Sequence, residues 1–256
     1  MSRAPESIGI LGAGAWGTAL AQAAARAGNR VMLWDRDPEV VRSIRAERRS
    51  PKAFPDLALE QCIVGEAEID TVLAQPLVLL VVPAQALREV CRRGSAQAGS
   101  VVVVCAKGIE RDGDRLLSEV VEEEWPGTEV ACLSGPSFAA EVAEGKPTAL
   151  TLGVANAELG RALAERLSSP TLRVYWTGDR SGVEIGGAVK NVLAIAAGVV
   201  IGRGFGENAR AALLTRGLAE LAGFGHAMGA ILESRLTVEE AFASLMRRPL
   251  KAEGLP

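Results

Sequence analysis

Three glycines constrain this chain more than any other feature. Gly12, Gly14 and Gly17 stand at G-x-G-x-x-G spacing between a short apolar run, Ile8–Leu11, and a stretch of mostly small residues, Thr18–Arg26. The apolar run reads as a buried strand and the small residues as a helix, which Gly28 and Asn29 end. A second apolar run, Val31–Trp34, leads to Asp35. Strand, glycine turn, helix, strand and acidic residue in this order predict a βαβ unit built for a dinucleotide. Gly12 lets the chain turn sharply. Gly14 lets backbone approach a pyrophosphate, and Gly17 lets the helix pack close to the strand. The pyrophosphate would rest on the helix N-terminus, where free N–H groups and the helix dipole favour an anion. Asp35 is placed to accept hydrogen bonds from a ribose 2′-OH.

The choice of dinucleotide stays open at this level. Asp35 favours NAD, because a carboxylate repels a 2′-phosphate. Arg36 can pair with that phosphate and so favours NADP. A solvated surface charge is the competing reading of Arg36. The expected cofactor is therefore NAD or NADP.

The rest of the N-terminal part extends the alternation. Pro38–Arg49 is patterned as an amphipathic helix, and Arg48–Pro55 as a basic, proline-punctuated loop. A short strand begins at Ile63–Val64, and Glu66–Ala74 suits a helix. Leu77–Val82 is a buried strand that Pro83 stops at the sheet's carboxyl edge, where ligands bind in such sheets. Gln85–Arg93 is helical. Val101–Cys105 is a further strand and delivers Ala106, Lys107 and Gly108 to the same edge. Helix Leu116–Glu124 and strand Val130–Leu133 follow, the strand opening into Ser134-Gly135-Pro136-Ser137. Two more strands, Thr148–Val154 and Arg173–Thr177, flank helix Glu158–Leu167. Alternation without hairpin signals predicts an α/β fold with a doubly wound, parallel, Rossmann-type sheet. After Gly178 the pattern becomes helical: Ser181–Val200, Glu207–Gly223 and Val238–Arg247. The domain boundary is placed near Gly178–Gly182, giving a nucleotide-binding domain over 1–179 and an all-α domain over 180–256.

Composition excludes several classes of function. A net charge of −3 gives no basic field for nucleic acid. Cys62, Cys91, Cys105 and Cys132 lack metal-ligand spacing, and His226 is the lone histidine, so no metal site is expected. Scattered cysteines without a disulfide pattern suit a reducing cytosol, so the expected localisation is cytoplasmic. The chain enters its first strand almost at once, which leaves no room for a signal peptide. The longest apolar stretch, Asn191–Gly202, reads as too short and too rich in Ala and Gly to span a membrane.

Three groups beyond the glycine turn carry chemistry. Lys107 at a strand's carboxyl end can reach a phosphate or a reacting oxygen. Ser134-Gly135-Pro136-Ser137-Phe138 exposes N–H groups and hydroxyls at another strand end, which suits a polar ligand. Gly186-Gly187-Ala188-Val189-Lys190-Asn191 sets a lysine inside an otherwise apolar helix. Burial there would lower its pKa and suit it to acid–base work. A surface lysine, a plain turn and an exposed polar face are the competing readings of the three.

Taken together these motifs resemble the bacterial-type NAD(P)-dependent glycerol-3-phosphate dehydrogenases. The match runs through GAGAWGTALA (Gly12–Ala21), AKGIE (Ala106–Glu110), LSGPSFAAEVAEGKPTA (Leu133–Ala149), LRVY (Leu172–Tyr175), VEIGGAVKNVLAIAAG (Val183–Gly198), NARAALLTRGLAE (Asn208–Glu220) and RRPLKAE (Arg247–Glu253). The AKGIE and SGPSF motifs speak against a 3-hydroxyacid or 6-phosphogluconate-type dehydrogenase. The resemblance implies reversible reduction of dihydroxyacetone phosphate to sn-glycerol 3-phosphate, a phospholipid precursor, by NADH or NADPH. It implies that Lys190 is the acid–base residue and that Lys107 contacts substrate and cofactor. It assigns Gly135, Ser137 and Asn191 to substrate. Ala15, Trp16, Arg36, Pro83 and Ala139 join Gly12, Gly14, Gly17 and Asp35 on the cofactor.

The chain departs from the family pattern in one large way. Members carry a long segment, with G-L-G-D-L and S-R-N motifs, between the helix after NARAALLTRGLAE and the last helix. Here His226-Ala227-Met228-Gly229-Ala230 runs straight into Ile231-Leu232-Glu233-Ser234. The helical domain therefore reads as shortened, without the aspartate that orients the catalytic lysine and the arginine and asparagine that hold the phosphate. The loop Ser50–Asp56 is also short. Two functions follow: an active dehydrogenase, with a homodimer partner supplying substrate contacts, or a nucleotide-binding remnant with little turnover. Missing helices would also leave apolar faces of Leu213–Leu221 uncovered.

Overall fold

The computed structural model describes residues 7–217. Eight strands form one sheet in the order β3-β2-β1-β4-β5-β6-β7-β8. They are β1 (Ser7–Leu11), β2 (Arg30–Trp34), β3 (Ile63–Glu66), β4 (Leu77–Leu80), β5 (Val101–Val104), β6 (Glu129–Ser134), β7 (Thr148–Gly153) and β8 (Leu172–Thr177). The α-helices are α1 (Ala15–Arg26), α2 (Pro38–Glu47), α3 (Ile69–Leu73), α4 (Leu87–Arg92), α5 (Leu117–Glu124), α6 (Ala139–Glu144), α7 (Ala157–Leu167) and α8 (Arg180–Gly202).

Runs such as LVLL in β4 and VVVV in β5 are apolar on both faces because helices cover both. Successive side chains alternate across a strand, so one run feeds two cores. Ile8, Ile10, Leu33, Leu77, Leu79, Val103 and Ala131 belong to the core that contains α1, α2 and α7. Leu11, Val78, Leu80, Val102, Val104, Val130 and Cys132 belong to the opposite core with α3, α4 and α5. Small residues let α1 sink deep: Gly17 through Ala25 are all buried. Its buried glutamine, Gln22, is satisfied by Ala58 O and Glu60 N–H.

β1 to β6 are parallel, as the alternation predicts. β7 is not: it runs antiparallel to β6, while β8 runs parallel to β7. The connection explains the reversal. A parallel crossover needs a helix that returns the full height of the sheet. The six residues of α6 rise about 9 Å, against about 20 Å for a six-residue strand. The chain therefore re-enters from the edge it left. Arg26, at the end of α1, donates to Val142 O and Ala143 O and so ties down the last turn of α6.

Local boundaries follow local chemistry. Asp37 caps α2 by accepting from Glu39 N–H, with Pro38 in the first turn, and Asn156 caps α7 by accepting from Glu158 and Leu159 N–H. The helix expected over Glu66–Ala74 is confined to Ile69–Leu73, because Glu66 completes the pairing of β3 with Trp34. A short 3-10 turn, Ala84–Ala86, precedes α4 after Pro83.

The chain divides into two compact units, Met1–Glu184 and Ile185–Pro256, with the division inside α8. In the second unit the described residues comprise α8 to Gly202 and a helical stretch over 206–217. The expected helix Val238–Arg247, His226 and the join at 226–234 lie outside the described residues.

The apolar segment is longer than the run Asn191–Gly202 suggested. Gly182–Val189 adds small and apolar residues in the same helix, so α8 reaches 23 residues with a mean hydropathy of 1.8 over its most apolar window. By length and composition this helix is long enough to cross a bilayer, a test that the core helix of a soluble protein also passes.

Candidate active site

The carboxyl ends of β1, β2, β4, β5 and β6 lie along one edge of the first unit, because these strands are mutually parallel. The glycine turn sits there between β1 and α1. Gly12 has φ +110°, and a Cβ on it would lie 2.7 Å from Val81 O. A Cβ on Gly17 would lie 1.7 Å from Gly12 O. Both glycines are therefore demanded by the protein's own packing. Gly14 is different: a Cβ there would meet nothing within 4 Å. The open space over Gly14, at the N-cap of α1, is where a ligand backbone would approach.

The turn is braced from behind. Gly12 N–H donates to Trp34 O at 2.9 Å, and Thr18 Oγ1 donates to Ala13 O at 3.1 Å. Asp35 accepts from Ala13 N–H with one oxygen and from Asp37 N–H with the other, both at 3.0 Å. Its carboxylate is thus oriented by the turn it faces, and each oxygen keeps a second lone pair for a ribose hydroxyl. Beyond β2, Trp34, Asp35, Arg36, Pro38, Ile69 and Arg93 line a cavity of about 200 Å³. Arg93 stacks over the Trp34 ring at 5.6 Å. Arg36 is exposed and makes no ion pair among the described residues.

The other strand ends bring the remaining first-unit residues to this edge. Pro83 follows β4 and leads the 3-10 turn. Lys107 follows β5, and its ammonium stands 5.2 Å from the centroid of the Trp16 ring. That cation–π contact is the one side-chain partner of Lys107 among the described residues, so its three N–H donors remain available. Gly135 and Ser137 follow β6. A Cβ on Gly135 would press on Leu150 and Ala149 O of β7, so this glycine keeps the turn close to the antiparallel strand. Ala139 opens α6.

Two atoms point to an absent ligand. Trp16 Nε1 and Ser137 Oγ are buried without a hydrogen-bond partner among the described residues. A buried orphan donor costs about 1–3 kcal/mol, and a bound polar molecule would satisfy it. With the open face of Gly14 and the carboxylate of Asp35, the donor set fits a dinucleotide with a polar substrate beside it.

Lys190 and Asn191 belong to the second unit, on α8. Lys190 is half-buried and Asn191 exposed, so the burial expected for the lysine is not found. The reason is that much of the helix beyond Ile185 faces solvent: Val192 is 65% exposed and Ile195 69%. The start of α8 is firmly held within the first unit. Glu184 accepts from Ser118 N–H, Ser118 Oγ and Cys132 Sγ, while Arg180 donates to Glu122 and to Val130 O.

Sequence reasoning missed a cluster beside Lys107. Arg88 donates to Glu110 with two nitrogens, at 2.6 and 3.0 Å, and pairs with Glu123 and Glu124. The signal was present as Gln85 and Arg88 one helical turn apart, and as the glutamate three residues after Lys107. Burial pushes the Cys91 thiol up to about 12 and raises that of Cys105, which follows β5, further.

Comparison with known proteins places this geometry. Residues 7–160 match the family described as NAD-dependent glycerol-3-phosphate dehydrogenase N-terminus, and residues 179–246 match its C-terminus. A glycerol-3-phosphate dehydrogenase [NAD(P)+] of Rhodospirillum rubrum is 49% identical over 237 residues, which cover 91% of this chain and 68% of the relative. The corresponding protein of Methylobacterium radiotolerans is 50% identical over 225 residues, 87% of this chain and 68% of the relative. The crystal structure of glycerol-3-phosphate dehydrogenase from Coxiella burnetii superposes with a TM-score of 0.81 at 39% identity, covering 89% of this chain and 70% of that one.

Proposed function

The chain belongs to the NAD-dependent glycerol-3-phosphate dehydrogenase family, and we propose that it reversibly reduces dihydroxyacetone phosphate to sn-glycerol 3-phosphate with NADH or NADPH. One arrangement carries the reading. An ammonium with no hydrogen-bond partner among the described residues, Lys107, stands over Trp16 beside a glycine turn whose middle residue faces open space. A phosphorylated ketone needs such a cation twice, for its own charge and for the charge that develops on its oxygen.

The reduced nicotinamide, when bound, supplies hydride to the ketone carbon. The residues do the remaining work. Gly12, Gly14, Ala15 and Gly17 would receive the pyrophosphate on the α1 N-terminus. Trp16, Asp35, Arg36, Pro83 and Ala139 would complete the cofactor's surroundings. Lys107, with Gly135 and Ser137, holds the substrate and orients its carbonyl; the family resemblance gives Asn191 a substrate contact as well. As negative charge grows on the carbonyl oxygen, Lys107 stabilises it and Lys190 donates a proton to it; in the reverse direction Lys190 takes that proton back. The proposed compartment is the cytoplasm and the proposed assembly a homodimer.

The test is NADPH and NADH consumption by the purified chain with dihydroxyacetone phosphate. A saturable rate is expected, and Lys190→Ala should lower it at least about 100-fold while NADPH binding persists. An unchanged rate in that variant overturns the assignment of the acid. A second reading has one observation in its favour. The chain spans 68% of the length of the relatives it matches, in keeping with loss of the segment that clamps the phosphate. Soluble chain that binds NADPH but shows no rate would establish that reading, a nucleotide-binding protein without turnover.

A further inference from the structure

Lys107 poses a positioning problem. Its side chain has four rotatable bonds and no polar partner among the described residues, yet its ammonium must meet a small substrate accurately. The loop that carries it, from Ala106 to Arg115, is short of intrinsic rigidity. Gly108 has φ +143°, Asp114 takes φ +48°, and Gly113 lies between. Something outside the loop must hold it.

We propose that Glu110, Arg88 and Gln85 form a clamp that positions Lys107. The two gripping residues, Gln85 and Arg88, lie three positions apart on the segment after β4, and Glu110 lies in the gripped loop after β5. Gln85 Nε2 donates to Ile109 O at 2.8 Å, and Gln85 Oε1 accepts from Arg111 N–H at 3.0 Å. These two bonds grip the loop backbone on either side of Glu110. One turn later Arg88 holds the Glu110 carboxylate through two nitrogens. The pair is sheltered, with side-chain exposures of 20% and 13%, so salt and water weaken it less than an exposed pair. Glu110 N–H donates to Arg115 O, and Ile109 bridges Leu116, which closes the far end of the loop. Arg88 is itself fixed by Glu123 and Glu124 of α5. Hydrogen bonds from Arg88, with its charge, hold the Glu110 carboxyl below its usual range, so the clamp is ionised at neutral pH. Gly108 fits the same account, since a Cβ there would lie 2.9 Å from Ala84 Cβ: the loop is drawn tight against the element that grips it. Glu110 and Arg88 are positioning residues, because they act through Lys107 and not by touching the reactants.

This inference rests on the reading of Lys107 as a substrate and cofactor contact. Its test is a double-mutant cycle on the full chain, comparing wild type, Glu110→Ala, Lys107→Ala and the double variant. Two readouts are taken: NADPH dissociation constant by fluorescence and KM for dihydroxyacetone phosphate. Glu124→Ala serves as a control: it removes one partner of Arg88 but leaves both Arg88–Glu110 bonds in place, and Glu124 makes no hydrogen bond or ion pair with the loop among the described residues, so a smaller loss is expected. Glu110→Ala should raise the KM about tenfold and weaken NADPH severalfold, and it should do nothing further in the Lys107→Ala background. Additive effects, or an equal loss in Glu124→Ala, would overturn the clamp and leave a structural ion pair. Glu110→Asp should recover part of the KM loss; a general packing role would show no such rescue. If wild type binds NADPH without turnover, the proposed activity fails and the clamp is judged on the NADPH cycle. If wild type binds no NADPH, both fail.

Discussion

At the scale of single residues the glycine turn separates two demands that the sequence motif merges. Gly12 and Gly17 are fixed by contacts inside the protein, whereas Gly14 is fixed by none. Gly17→Ala should therefore cost roughly 3 kcal/mol or more, because its Cβ has no room beside Gly12 O. Gly14→Ala should change stability by less than about 1 kcal/mol yet weaken NADPH markedly. Denaturant unfolding and cofactor titration of the two variants would show opposite rankings. Arg36 makes a second prediction at this scale. It lines the cavity beyond β2 and has no ion-pair partner among the described residues. Arg36→Ala should weaken NADPH about tenfold, the loss of one charge-assisted hydrogen bond, and leave NADH nearly unchanged. Equal losses for both cofactors would assign Arg36 to the shared part of the dinucleotide.

At the scale of elements the start of α8 is the informative join. Glu184 is buried and meets the N-terminal turn of α5, where a carboxylate is favoured by the helix dipole and satisfies a free N–H. It lies six residues before Lys190 in the same helix. Glu184→Ala would leave Ser118 N–H and Oγ without partners in a dry setting. The expected loss is about 3 kcal/mol, read as a lowered urea midpoint, with Glu184→Gln losing less. A midpoint unchanged in Glu184→Ala would mean that water replaces the carboxylate. The helices and strands were largely legible because period-2 and period-3.6 patterns are local. The reversal at β7 was not, since it depends on the height that α6 fails to span. The half-buried setting of Lys190 was not legible either, since an apolar helix sequence does not say which sides are covered.

At the scale of the whole molecule, the carboxylates around Arg88 couple stability to pH. Hydrogen bonds from Arg88 hold the Glu110 carboxyl below its ordinary value of 4.5, and those from Arg92 and Arg88 do the same for Glu124. A lowered native pKa means that the unfolded chain binds more protons in that window. Their contribution is thus complete above pH 4.5 and is lost as pH falls through the lowered native values. Urea midpoints should fall between pH 5 and pH 3, about the range where native carboxylates protonate, and fall less steeply when Glu110 is replaced by Ala. The same scale carries a liability. Val192, Ile195, Val199 and Phe205 are large apolar residues more than half exposed, and exposed patches of this kind favour association.

The sequence alone determined the nucleotide turn, the parallel run from β1 to β6, the family, and the residues expected to touch cofactor and substrate. Each of these is written in spacing: a glycine pattern, an apolar period or a motif of adjacent residues. Only the tertiary structure decided that Gly14 is the glycine free of packing, that Asp35 is oriented by the turn, that β7 reverses, and that Glu110 and Arg88 hold the loop of Lys107. The contacts of Asp35 with the turn and of Arg88 with Glu110 each join residues 22 positions apart. Contacts at that separation arise when the sheet stacks its strand ends on one edge, and no local pattern records them.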